Sequence, residues 1–166
     1  MLKITNEKHI ELIRENEVIE CKLARGRDGH GALPEDIWET VSAFSNSQGG
    51  YILLGLEEQI DETYVLEGIN NLPRVLKQFW EGLRDEHIIS PTAITPSCIN
   101  IHQIKHKALI QIHVPRAHKK IRPVHLKRSP IGGSYKRIGS SDIRIKEIII
   151  RKMLAENLAL KRKSRR

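Results

Sequence analysis

Apolar positions recur along this chain in two rhythms, one of about 3.6 residues and one of two, and the alternation between them outlines its elements. Ile10 and Ile13, with Thr5 or Asn6 ahead of them as a cap, predict a short helix over about residues 6–14. "EVIECKLA" then alternates as a strand does. Ile19 and Cys21 fall on one face, and Val18, Glu20 and Lys22 on the other. Glu17 is expected in the turn before it. "RGRDGHGAL", rich in glycine and charge, reads as an exposed loop.

"LPEDIWETVSAFSNSQGG" carries the clearest helical pattern, with Ile37, Val41 and Phe44 on one stripe. Pro34 is expected at the first helical position, Glu35 and Asp36 in the first turn, and Gly49–Gly50 at the stop. "YILLGL" is a short, wholly apolar run, the pattern of a central strand covered on both faces. "TYVLEGI" predicts another strand. Leu72, Val75, Leu76, Phe79 and Leu83 predict a second long helix, with Pro73 near its start. Beyond Pro96 the period falls to two: "SCINIHQI", "ALIQIHVP" and "PVHL" read as strands, the first two joined by a turn at "KHK". "GGSYKRIGSSDIRI" reads as loop, strand and turn, and Ile145, Ile148, Ile149 and Met153 open a final helix. The expectation is one α/β (α+β) domain over residues 1–160, a mixed sheet packed with about four helices. The six residues "KRKSRR", 161–166, are expected to form a basic disordered tail.

Charge changes the picture. Residues 1–100 hold 9 Lys and Arg against 17 Asp and Glu, net −8, and residues 101–166 hold 19 against 3, net +16. So uneven a division points to a polyanionic partner, nucleic acid before an anionic membrane surface. The acidic half then either faces away from that partner or does chemistry on it. No apolar run approaches the length of a membrane span, the first residues are too charged for a signal peptide, and a cytoplasmic location is expected. Cys21 and Cys98 are in no metal-ligand spacing, and neither are His113, His118 and His125.

Three segments in order carry a resemblance: "ENEVIECK", "LPEDIWETVSAFSNSQGGYILLGLEE" and "GGSYKRIGSSDIRI". Together, over about residues 11–150, they resemble the Schlafen/AlbA_2 domain, described as a DNA-binding domain of bacterial transcriptional regulators. Asn16, Cys21 and Ser45 stand where that family usually has serine, phenylalanine and alanine. The phosphate-binding pattern G-x-x-x-x-G-K-[ST] does not occur, so no ATP site is expected.

The resemblance also reaches Schlafen endoribonucleases that cut tRNA and rRNA with three carboxylates. By motif position these imply Glu15, Glu20 and either Glu57 or Glu58 as catalytic, with Lys22 beside them, and Glu15, Glu20 and Glu58 as ligands of Mg²⁺ or Mn²⁺. Carboxylates at the ends of neighbouring strands suit such hard cations. For nucleic acid, the basic half offers Arg116, Lys119, Lys120, Arg122, Lys127, Arg128, Lys136 and Arg137. Tyr135 is the aromatic placed to stack on a base or sugar, and Ser140 and Ser141 could hold a phosphate. Three readings stay open: a DNA-binding regulator, a metal-dependent endoribonuclease, and a protein-interaction module without a nucleic-acid role. A homodimer is compatible with each.

Overall fold

The computed structural model describes residues 2–166. Its elements run α1 (Glu7–Glu11), β1 (Ile19–Lys22), α2 (Ile37–Asn46), β2 (Gly50–Leu54), β3 (Leu56–Glu58), β4 (Tyr64–Leu66) and α3 (Leu72–Arg84). Then follow a 3-10 turn (Pro96–Cys98), β5 (Ile99–Ile104), β6 (Lys107–Val114), the single turn α4 (Pro130–Gly133), β7 (Tyr135–Ile138), β8 (Ser141–Arg144) and α5 (Glu147–Lys163). This is one α+β domain.

A mixed four-stranded sheet, ordered β1-β2-β6-β5, forms its middle, with β1 parallel to β2 and the other neighbours antiparallel. The strict alternation of strand side chains sorts the core into two layers. Ile52, Leu54, Ile110, Ile112 and Val114 face α2 and α3, where Ile37, Val41, Phe44, Val75 and Phe79 meet them. Cys21, Leu53 and Leu109 face the other way, against Ile10 and Ile13 and the β3–β4 hairpin residues Leu56, Tyr64 and Leu66. "YILLGL" is apolar throughout because β2 is covered on both sides.

The turn into β2 explains its two glycines. Gly49 has φ +79°, and a Cβ there would lie 2.8 Å from the Val114 carbonyl; one on Gly50 would lie 2.7 Å from the Phe44 ring. Helix α2 can therefore lie directly across the strand it feeds.

Three expectations shift. Helix α2 begins at Ile37 rather than Pro34, whose carbonyl accepts from the Ile37 N–H at 3.2 Å. Asp36 is the capping residue, but its carboxylate reaches Lys22 at 2.8 Å instead of the helix amides. "PVHL" is not a strand: it makes only isolated bridges, because the Asn46 amide takes both the N–H and the C=O of Val124. Helix α5 runs through Lys163, so the first half of the basic tail is its last turn. Cations in that turn complement the partial negative charge of a helix C-terminus. Among the described residues no helix is long and apolar enough to cross a membrane.

Candidate functional site: a buried ion-pair chain and a basic surface

The strand β1 and the hairpin β7–β8 meet across the end of α2. Alternation turns Tyr135 and Arg137 of β7, and their cross-strand partners Arg144 and Asp142 of β8, toward α2. Polar residues of α2 receive them. Ser42 Oγ accepts from the Tyr135 N–H at 3.0 Å and donates to the Val124 carbonyl at 2.7 Å. Asn46 Nδ2 donates to the carbonyls of Val124 (2.8 Å) and Tyr135 (2.9 Å), while its Oδ1 accepts from the Val124 N–H. Ser47 Oγ accepts from the Arg137 N–H at 2.9 Å, and Thr40 Oγ1 donates to Asp142 Oδ2 at 2.6 Å.

Arg137 is the centre of this junction, its side chain only 1% exposed. Nη1 holds Asp142 at 2.8 Å, Nε donates to the Asn16 carbonyl, and Nη2 donates to the carbonyls of Asn16 and Ile19. Its guanidinium carbon lies 5.0 Å from the centre of the Phe44 ring. Nη2 is also 2.8 Å from Glu20 Oε2. Its two hydrogens are spent on the carbonyls, however, so that contact is an ion pair without an aligned hydrogen bond, and Glu20 Oε2 has no donor of its own. Glu20 Oε1 lies 3.1 Å from Lys22 Nζ, which also donates to Asp36. The result is one chain of alternating charge, Asp36–Lys22–Glu20–Arg137–Asp142.

The protonation of its three central members, Lys22, Glu20 and Arg137, reflects that chain. Burial, helped by nearby Glu15, raises Glu20 above its ordinary value against the opposing pull of Lys22 and Arg137. For Lys22 and Arg137 burial acts downward, but their carboxylate partners outweigh it and both are raised.

Of the carboxylates singled out from sequence, Glu15 accepts from the Cys21 N–H at 3.0 Å. Glu58 lies opposite Tyr64 in the hairpin, on its inward-facing side. Burial first, then the charges of Glu15, Glu20 and Glu58, push the Cys21 thiol far up, and the Tyr64 hydroxyl responds to Glu15 and Glu58 likewise. Glu15 is the acid that reaches both Cys21 and Glu20. Glu57 points to the other face of β3 and pairs with Arg25 at 3.4 Å. Of the two candidates for a third acid, Glu58 lies on the hairpin's inward-facing side and Glu57 on the other. Glu17 is exposed in the turn before β1.

A divalent ion does not fit the acids as they stand. Both oxygens of Glu20 face cations, and among the described residues no three of His, Cys, Asp and Glu gather closely enough to hold a metal.

The basic residues divide into four groups. Arg137 is buried in the ion-pair chain and is not free for a phosphate. Tyr135 is buried too, its hydroxyl accepting from Arg144 Nε at 3.2 Å, so it is no stacking platform. Lys127 and Arg128 occupy a turn with φ near +55°, Lys127 on a cleft lined by Glu35, Asp36, Glu39 and His87, and Arg128 near Asp85. Lys136 is half-buried on the outer face of the hairpin, and Ser140 and Ser141 are exposed at its tip. Arg116, Lys119, Lys120 and Arg122 form the fourth group, on the segment after β6, where α5 lies alongside. Asn157 Nδ2 donates to the Arg122 carbonyl at 3.1 Å and Lys120 Nζ donates to Ser164 Oγ. Here the structure joins two basic segments that are separate in the sequence.

Asp36, Thr40, Asn46 and Asp142 were not singled out from sequence. Only Asn46 offered a signal, an amide at the end of a helix just ahead of Gly-Gly; the others are ordinary polar residues until the chain folds.

The fold, the three motifs and their junction define the class: the chain belongs to the Schlafen AlbA_2 family, which matches residues 15–146. Among solved structures it is similar to the N-terminal domain of a Nitrosomonas europaea protein described as related to the ATP-dependent DNA helicase RecG. Identity is 27%, over 83% of this chain and 89% of that one, with a TM-score of 0.59. A Corynebacterium diphtheriae protein shares the fold at 13% identity and a TM-score of 0.53, over 82% of this chain and 23% of that one.

Proposed function

We propose that this chain is a nucleic-acid-binding domain of the DNA-binding regulator type, contacting its partner through the exposed cations of its second half. The charge division carries this reading: net +16 lies in residues 101–166. Of the three acids there, Asp142 is spent on Arg137, Glu147 pairs with Arg151 at 2.6 Å, and Glu156 sits near Arg122. The likeness to a domain of a RecG-related protein supports a DNA partner. Gel shifts with duplex DNA and with tRNA, in rising salt, test it. Binding that weakens steeply as salt rises is expected, because neutralised phosphates release their counterions. Affinity that ignores salt would sink the proposal.

RNA cleavage is the second reading, favoured by the closeness of Glu15 and Glu20 at β1 and opposed by the ion pairs that occupy Glu20. Incubating labelled tRNA with the wild type and with Glu20→Ala, in Mg²⁺, Mn²⁺ or EDTA, decides between them. Metal-dependent cutting lost in Glu20→Ala would establish the nuclease. Binding without cutting, alike in both, leaves the regulator reading.

A further inference from the structure

The surface cations that the fold brings together belong to two segments, with Arg116 and Lys119 exposed and Lys120 and Arg122 half-buried. Arg116, Lys119, Lys120 and Arg122 come from the stretch after β6, and Lys161, Arg162 and their neighbours from the end of α5. The Asn157–Arg122 and Lys120–Ser164 hydrogen bonds hold these segments together, so the surface is built on a helix rather than on a loose tail. Burial and the adjacent Arg116 hold the Arg122 guanidinium below its ordinary value, with only Glu156 opposing, as expected where cations crowd. A crowded cationic surface in a free protein gains most from a ligand of high charge density.

No aromatic ring among the described residues is exposed. Five of the chain's aromatic residues, Trp38, Phe44, Tyr64, Phe79 and Tyr135, are buried. The half-buried Tyr51 is stacked on His113 at 5.1 Å, and Trp80 sits edge-on to Phe79 at 5.4 Å. Binders of single strands draw roughly 1–3 kcal/mol per base from stacking on exposed aromatics. With no aromatic ring exposed among the described residues, phosphate contacts are what remains. A duplex presents about twice the phosphate charge per unit length of a lone strand.

We propose that the segment 116–122 and the end of α5 form one surface that binds the backbone of double-stranded nucleic acid, independently of sequence. This rests on the nucleic-acid reading above and names its ligand class. The test uses the full chain and fluorescence anisotropy, with a duplex of about 20 base pairs, as DNA and as RNA, and each separated strand. The duplex is expected to bind at least about tenfold more tightly than either strand and to lose roughly a thousandfold in affinity between about 50 and 200 mM salt. Lys161→Ala/Arg162→Ala/Lys163→Ala and Arg116→Ala/Lys119→Ala should each weaken duplex binding and flatten its salt dependence. All five positions are exposed, and circular dichroism melts check that both variants stay folded. A strand bound as tightly as the duplex would overturn the duplex inference while leaving nucleic-acid binding intact. So would either variant binding the duplex like the wild type. Failure of every nucleic acid, with capture by anionic phospholipid vesicles instead, would overturn both.

Discussion

Ser45 is wholly buried, and its hydroxyl has no partner. Its backbone carbonyl accepts from Ala117, so the position is held by the main chain and the Oγ adds only an unmet polar group. An unpartnered buried hydroxyl costs about 1–3 kcal/mol, so Ser45→Ala should raise the urea midpoint. Arg137 is the opposite case. Removing it leaves Glu20 with Lys22 alone, Asp142 with Thr40 alone and the Asn16 carbonyl without its donor, and Arg137→Ala should cost about 3–5 kcal/mol in the same measurement, with Arg137→Lys recovering only part. Glu20 carries a pH signature. Its folded value lies above the ordinary 4.5, so the folded chain takes up a proton before the unfolded one does. Its contribution to stability is therefore complete below 4.5 and is lost as pH rises through the folded value. Urea denaturation of wild type and Glu20→Gln across that window should show the wild type gaining relative to the variant as pH falls. A constant difference would mean that Glu20 titrates as it does in the unfolded chain.

Among elements, α2 does two tasks with its two sides. Ile37, Val41 and Phe44 pack on the sheet, while Thr40, Ser42 and Asn46 hold the β7–β8 hairpin and the segment at Val124. A two-stranded hairpin has too little core to stand by itself. Its placement depends on these side chains and on Arg137. Asn46→Ala leaves the Val124 N–H and the Tyr135 carbonyl without partners and should destabilise by about 2–3 kcal/mol. Hydrogen exchange should report the loss as faster exchange in β7 and β8, with β2 and β6 little changed. Faster exchange spread evenly over the sheet would show that Asn46 supports the whole domain and not the hairpin in particular.

At the scale of the molecule, the charge division becomes a division of labour. Glu20 of the first half neutralises Arg137, the cation of the second that folds inward, and Lys22 joins them from Glu20's own strand. The cations left over stay on the surface. Of the carboxylates around β1, Glu20 answers Arg137 from more than a hundred residues away and Glu15 caps the Cys21 N–H. Stability and binding should therefore separate. Deleting residues 161–166, all exposed, should leave the urea midpoint where it was while lowering affinity for duplex nucleic acid. A midpoint that fell with the deletion would show that the tail braces the segment 116–122.

The sequence alone determined most of the elements, because the inward stripes of α2 and α3 and the alternation of β5 and β6 are periodic in the chain itself. It also carried the family, through three motifs kept in order, and the net charge of each half, which is additive and needs no geometry. Tertiary structure decided everything that turns on pairing between distant residues. Arg137 reads as a phosphate ligand in a basic stretch and proves to be a buried cation, since only folding brings Glu20 and Asp142 to it. "PVHL" alternates like a strand and is not one, because a side chain from α2 takes the hydrogen bonds a neighbouring strand would have made. The joining of 116–122 to the end of α5, some forty residues on, has no local signature at all; a hydrogen bond between remote groups leaves no period in a sequence.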